Sequence, residues 1–138
     1  LTNARQVLDY GCGKGRLSVP LQREISWCLV IHRYDPAIPE HAATPEPREF
    51  VASIDVLEHI EPDCLDAVLD DLQRVTVKWG FFTVHCEPAL KFLADGRNAH
   101  LTQQPATWWF PKLMNRFTLV DSSPAHGGFW VFVRVKSA

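Results

Sequence analysis

Three carboxylates close short apolar runs: Asp9 in Val7-Leu8-Asp9, Asp35 in Ile31-His32-Arg33-Tyr34-Asp35, and Asp55 in Ser53-Ile54-Asp55. Behind Asp9 comes Gly11-Cys12-Gly13-Lys14-Gly15, a turn whose glycines let backbone approach a ligand closely. A helix starting after such a turn would offer free N–H groups to a polar or anionic group. Asp35 lies 20 residues beyond Gly15, at the end of the next apolar run, where a carboxylate can accept hydrogen bonds from both hydroxyls of a ribose. Together these residues describe a site for an adenosine-type cofactor.

The spacing selects among such cofactors. Position 16 is Arg, so the dinucleotide pattern G-x-G-x-x-G is not met. Asp9, two residues before the first glycine, would repel a pyrophosphate but could hold an ammonium or position the turn through water. S-adenosylmethionine carries a free amino group and no phosphate, so the residues favour it over a nicotinamide dinucleotide.

These residues need a scaffold that brings strand ends together. Gln6–Tyr10, Trp27–Tyr34, Phe50–Ile54 and Gly80–His85 read as strands, the last a continuous apolar run suited to a covered central position. Arg16–Glu24 reads as a helix with Leu17, Leu21 and Ile25 at helical spacing. A second helix follows Pro62, with Leu65, Val68, Leu69, Leu72 and Val75 on one stripe. Residues 37–47 read as a loop with no element of its own, and 87–104 as irregular. Thr107–Asn115 reads as a short helix, Phe117–Asp121 as a strand, Ser122–Gly128 as a turn, and Phe129–Val135 as a final alternating strand. Strands alternating with helices predict an α/β fold: a Rossmann-like, mostly parallel sheet covered on both faces, closed by a C-terminal antiparallel hairpin. Ligands of such sheets bind outside the carboxyl ends of the strands, where Asp9, Asp35 and the segment Asp55-Val56-Leu57-Glu58-His59 all fall.

Val7-Leu8-Asp9-Tyr10-Gly11-Cys12-Gly13-Lys14-Gly15 resembles the first motif of class I S-adenosylmethionine-dependent methyltransferases, and Tyr34-Asp35 resembles the second. Ile54-Asp55-Val56-Leu57-Glu58-His59-Ile60 resembles the segment after the following strand, and the final antiparallel strand is also a family trait. The stretch Asp95-Gly96-Arg97-Asn98-Ala99-His100-Leu101 with Trp108-Trp109 is similar to a small group of methyltransferase-like proteins of phage and bacterial genomes. The resemblance implies that Gly11, Gly13 and Gly15 line the methionine portion of the cofactor, with Asp9 near its amino group. Asp35 would hold the ribose, with Pro36 among the candidates for the adenine, and Asp55, Val56 and Leu57 would lie near the cofactor's methionine end or its sulfonium. Only 14 residues separate Asp35 from Phe50, too few for the helix and strand usual there, so the family's third strand is expected to be absent or vestigial.

Methyl transfer is an in-line displacement, to which a protein contributes mainly proximity and alignment. A base is needed when the acceptor is a hydroxyl or a protonated nitrogen, and histidine suits that task. His85 and His59 follow strand ends on the ligand side, and His100 lies in the 87–104 segment beside Arg97 and Asn98. These three are the catalytic candidates, each weighed against a purely structural role. Arg97, Asn98, Trp108 and Trp109 are the acceptor-binding candidates, since consecutive aromatic residues cannot all face one core. Lys91, Arg97, Lys112 and Arg116 against Asp95 suggest a cationic surface fit for an anionic acceptor such as a nucleotide-linked sugar.

Composition narrows the alternatives. The 138 residues make one domain, 46% hydrophobic, and Leu1 stands directly before the first strand as though an upstream segment were missing. No apolar run approaches the roughly 18 residues of a membrane span. A net charge of −2 is too small to draw nucleic acid or a membrane surface by bulk attraction. Residues 1–77 carry 13 acids and 7 bases, and residues 78–138 carry 3 acids and 7 bases, giving halves of −6 and +4. The four cysteines, Cys12, Cys28, Cys64 and Cys86, lack metal-ligand or disulfide-scaffold spacing. They point to a reduced, cytoplasmic chain with no metal site, and with at least two cysteines in its core. The sequence therefore reads as a methyltransferase acting on oxygen or nitrogen of a small-molecule or glycan-like acceptor. Its rivals are a degenerate relative that binds the cofactor without turnover, and a partner-binding subunit anchored by Trp108 or Trp109.

Overall fold

A computed structural model describes residues 4–16 and 29–137. Its framework is one six-stranded sheet made of β1 (Gln6–Tyr10), β2 (Val30–Tyr34), β3 (Arg48–Ile54), β4 (Thr76–His85), β5 (Phe117–Ala125) and β6 (Gly128–Val135), in the order β2-β1-β3-β4-β6-β5. The first four strands are mutually parallel, and β6 runs antiparallel to both β4 and β5. Successive strands β2 and β3 lie on opposite sides of β1. This reversal of strand order opens a crevice at the carboxyl ends of parallel strands, where ligands bind. Among the described residues no strand lies beyond β2, as the short 36–49 connection predicts.

Two α-helices are described, α1 (Leu65–Val75) and α2 (Ala106–Met114). Helix α1 grows out of a 3-10 turn, Pro62–Cys64, and buries Leu65, Leu69, Leu72 and Val75. Those side chains join Leu8, Val51, Phe82, Val131 and Val133 from the sheet, and Trp109 and Leu113 from α2, in a single core. Both described helices thus cover one face. The helix expected over Arg16–Glu24 lies outside the described residues, apart from Arg16.

The structure corrects several boundaries. Helix α1 passes into β4 without a loop: the Thr76 hydroxyl donates to the Leu72 carbonyl at 2.7 Å, and extended backbone follows at once. Residues 37–47 are not wholly irregular, since Pro39–His41 forms a 3-10 turn. The turn expected from Ser122 begins only after Ala125, so β5 continues through Pro124. That proline is tolerated because β5 is an edge strand, whose outward side needs no N–H donor. Of the described cysteines only Cys12 is buried; Cys64 is exposed and Cys86 half-buried. No described helix is long and apolar enough to cross a membrane.

Candidate functional site

The glycine turn is held against the end of β2 by backbone bonds: the N–H groups of Gly11 and Cys12 both donate to the Tyr34 carbonyl, at 2.7 and 3.0 Å. Asp35 completes the junction. Its Oδ2 accepts from the Gly13 N–H at 2.8 Å and its Oδ1 from the Ala37 N–H at 2.9 Å. A carboxylate has about four lone-pair sites, so each oxygen can accept one bond more. Beneath the turn, Asp9 is buried and its Oδ2 has no hydrogen-bond partner. Burial pushes this carboxyl up to about 6; Arg33 opposes the rise, Asp35 adds to it and His41 opposes it.

The β3 end meets this junction directly. A Cβ on Gly11 would lie 2.5 and 2.7 Å from the two methyl groups of Val56, so only glycine allows the loops to approach so closely. Gly11 has φ +78°, a second reason for glycine. Asp55 is a non-glycine residue at φ +52°, held there by Thr83 of β4. The Thr83 hydroxyl donates to Asp55 Oδ1 at 2.7 Å and accepts from the Asp55 N–H at 2.9 Å. Such strain persists only where neighbours fix it, and it concentrates at ligand sites.

Between these loops lies a cleft of about 390 Å³. Gly11, Asp35, Pro36, Asp55, Val56 and His59 form part of its wall, with Tyr10, Tyr34, Ile60 and Val68 adding apolar surface. The Tyr10 and Tyr34 rings meet at 5.0 Å, and the Tyr10 hydroxyl donates to Asp71 of α1 at 2.8 Å. Gly13 stands open, with nothing within 4 Å of where a Cβ would be, whereas Gly15 is buried against Arg33.

The three catalytic candidates come together beside this cleft. The ring of His100 lies 4.8 Å from that of His59 and 5.1 Å from that of His85. His59 Nδ1 stands 2.8 Å from the Ala99 carbonyl, and His100 Nδ1 stands 2.6 Å from the Glu87 carbonyl. Burial lowers the pKa of His59. Under the cluster sits Glu58, fully buried, with Oε1 accepting from the His85 N–H at 3.0 Å and Oε2 without a partner. Burial raises its carboxyl to about 7, against the pull of its backbone hydrogen bonds. Glu58 was not among the sequence candidates. The one hint of it was its place in the segment after β3, which does not show that its side chain turns inward.

Other candidates are placed differently. Leu57 is fully buried in the core, so its side chain does not reach the cleft. Asn98 holds its own loop together: Oδ1 accepts from the N–H groups of Ala89 and His100, and Nδ2 donates to the Ala89 carbonyl, each at 2.9 Å. Trp109 is a core residue whose indole N–H donates to the Gln104 carbonyl at 3.1 Å. Trp108 is half-buried, with the Lys112 ammonium 4.8 Å from its ring centre. Arg97 and Asn98 border a second hollow of about 480 Å³, shared with His100 and Glu61. The expected cationic surface is largely neutralised, because acids distant in sequence fold onto it. Arg97 pairs with Glu61 and Asp95, Lys112 with Asp66, and Arg116 with Asp66 and Asp70.

No protein-family model and no curated protein matches the sequence. Solved structures do match in fold. Magnesium protoporphyrin IX methyltransferase from Synechocystis PCC 6803, crystallised with S-adenosylhomocysteine, has a TM-score of 0.65 at 17% identity. The match covers 95% of this chain and 73% of that one. The 1,6-didemethyltoxoflavin-N1-methyltransferase of Burkholderia thailandensis, with its acceptor and S-adenosylhomocysteine bound, gives 0.65 at 19%, covering 96% and 71%. Mitomycin 7-O-methyltransferase gives 0.71 at 13%, covering 96% of this chain and 49% of the other. The chain has the Rossmann-like fold of these S-adenosylmethionine-dependent methyltransferases.

Proposed function

We propose that the protein binds S-adenosylmethionine and transfers its methyl group to an oxygen or nitrogen of a small-molecule acceptor. The observation that carries this reading is the meeting of Asp35 and Asp55 on one cleft, with Asp9 buried beneath the adjoining glycine turn, at the ends of three adjacent parallel strands. The residues present fit the cofactor. The unpartnered Asp9 Oδ2 suits an ammonium, the spare lone pairs of Asp35 suit ribose hydroxyls, and the open face of Gly13 leaves room beside the methionine chain. Pro36, Tyr34, Ile60 and Val68 supply apolar wall for an adenine ring.

When bound, the cofactor supplies an electrophilic methyl on a positively charged sulfur. The protein's part is to align donor and acceptor and exclude water, a contribution of several kcal/mol, up to about 10 in favourable cases. The His59–His100–His85 cluster is the nearest source of a base for the proton an acceptor hydroxyl or ammonium must lose. The hollow beside His100 is the adjoining space for an acceptor, including a glycan-like one.

Calorimetric titration of the purified chain with S-adenosylmethionine and S-adenosylhomocysteine, repeated on Asp35→Ala, tests this reading. Micromolar binding is expected in the native chain. Two hydrogen bonds to a charged acceptor, at about 1.5–3 kcal/mol each, make the variant at least about 100-fold weaker. Equal binding by native chain and variant, or none by the native chain up to millimolar ligand, would sink the reading.

A further inference from the structure

Glu58, His59 and His100 bring ligand atoms together: one carboxylate oxygen and two imidazole nitrogens all lie within 4.8 Å of one another. Two features separate this group from a chance meeting of polar side chains. Glu58 is fully buried and its Oε2 is unpartnered, a state that costs about 1–3 kcal/mol in an apolar setting and that a cation would relieve. Both imidazoles, moreover, have the same nitrogen committed to a backbone carbonyl, Ala99 for His59 and Glu87 for His100. A carbonyl only accepts, so each Nδ1 carries the proton and each Nε2 keeps its lone pair. This is the tautomer, fixed by an outer hydrogen bond, that metal-bound histidines show.

We propose that Glu58, His59 and His100 bind a divalent first-row transition-metal ion. Two imidazoles and one carboxylate, with no thiolate, form a set that zinc, iron and manganese accept, and three protein ligands leave positions open. Even at the 4.8 Å limit, a central point is roughly 2.8 Å from each atom. Bond lengths to nitrogen and oxygen are about 2.0–2.2 Å, so each ligand closes by less than about 1 Å. His59 lines the cofactor cleft and His100 the neighbouring hollow, so the ion stands between the two. What fills its open positions rests on the methyl-transfer reading: an acceptor hydroxyl, which a cation holds and acidifies. Its proton passes to a base such as His85, the oxygen bonds to the methyl carbon, and the carbon–sulfur bond breaks to leave a neutral thioether.

Ion binding is measured first, without turnover. The chelator-treated chain is dialysed against Mn(II), Co(II) or Zn(II), and the visible absorption of Co(II) reports imidazole coordination. Glu58→Gln, which keeps an oxygen for the His85 N–H, and His59→Ala, at an exposed position, are treated alike, with thermal unfolding as the check on folding. One equivalent bound, a raised Tm, and a loss on the order of 100-fold in either folded variant are expected. No binding below millimolar ion, or variants that bind as the native chain does, overturns the site. S-adenosylmethionine is titrated separately without metal. Absent cofactor binding with ion binding kept defeats the functional reading and leaves the ion site standing.

Discussion

Gly11→Ala isolates the contact that joins the two loops of the cleft. The new Cβ would face Val56 methyl groups at 2.5 and 2.7 Å and its Cβ at 3.2 Å, on backbone at φ +78°. Left-handed backbone costs an alanine about 1–2 kcal/mol. Forcing a methyl into a filled contact adds about 1–3 kcal/mol. A loss of about 2–5 kcal/mol is therefore expected in urea unfolding followed by circular dichroism. Val56→Ala removes both crowding methyl groups but leaves φ unchanged. The double variant should accordingly be more stable than the sum of the singles implies, by about 1–3 kcal/mol, with the backbone cost remaining. Additivity within about 0.5 kcal/mol, or a Gly11→Ala chain within about 0.5 kcal/mol of native, would refute the contact.

Asp9 makes stability depend on pH in the direction opposite to a salt-bridged carboxylate. Its folded-state value of about 6 lies above the ordinary 3.8, so its contribution is full below about pH 4 and is lost as pH rises through 6. The difference corresponds to about 3 kcal/mol, which solvent reaching the glycine turn reduces to about 1–2 kcal/mol. Asp9→Asn should flatten the native chain's decline between pH 4 and 7 in urea unfolding; an unchanged slope counts against it. Trp109→Ala should cost about 3–5 kcal/mol from its buried position, and Trp108→Ala clearly less, as the two melting curves will show. Asn98→Ala removes hydrogen bonds from half-buried polar groups of its loop and should cost about 1–3 kcal/mol. Arg97→Ala breaks only exposed ion pairs and should leave the unfolding midpoint close to native, so matched denaturation curves will separate the neighbours.

The sheet was legible in the sequence because each parallel strand is an apolar run that ends abruptly at a polar or glycine residue. The shortened 36–49 connection likewise announced a missing strand, since a crossover helix and strand cannot fit there. The site was legible where it follows the chain. Asp9, Asp35 and Asp55 each sit at a strand end, and strand ends converge in a parallel sheet. What depends on side-chain direction was not legible. Leu57 and Glu58 turn into the protein while Asp55 and His59 do not, because the 3-10 turn Leu57–His59 gives no repeating pattern to read. His59 and His100 are distant in sequence, so no ligand spacing links them. The local charge is not legible for the same reason: Glu61, Asp66 and Asp70 reach the basic segment only through folding.

The place of β6 has a consequence for how the chain assembles. It follows every other described element in sequence, yet lies inside the sheet between β4 and β5. Until residues 128–135 have left the ribosome, β4 lacks one of its neighbours, β5 has no partner, and the shared core lacks Phe129, Val131 and Val133. The parallel half and the hairpin share one core, so the emergence of residues 128–135 decides whether the whole sheet closes. During that interval the unpaired edge of β4 is open to mispairing with another chain, which makes the time before β6 emerges a stage at which this protein is prone to aggregate.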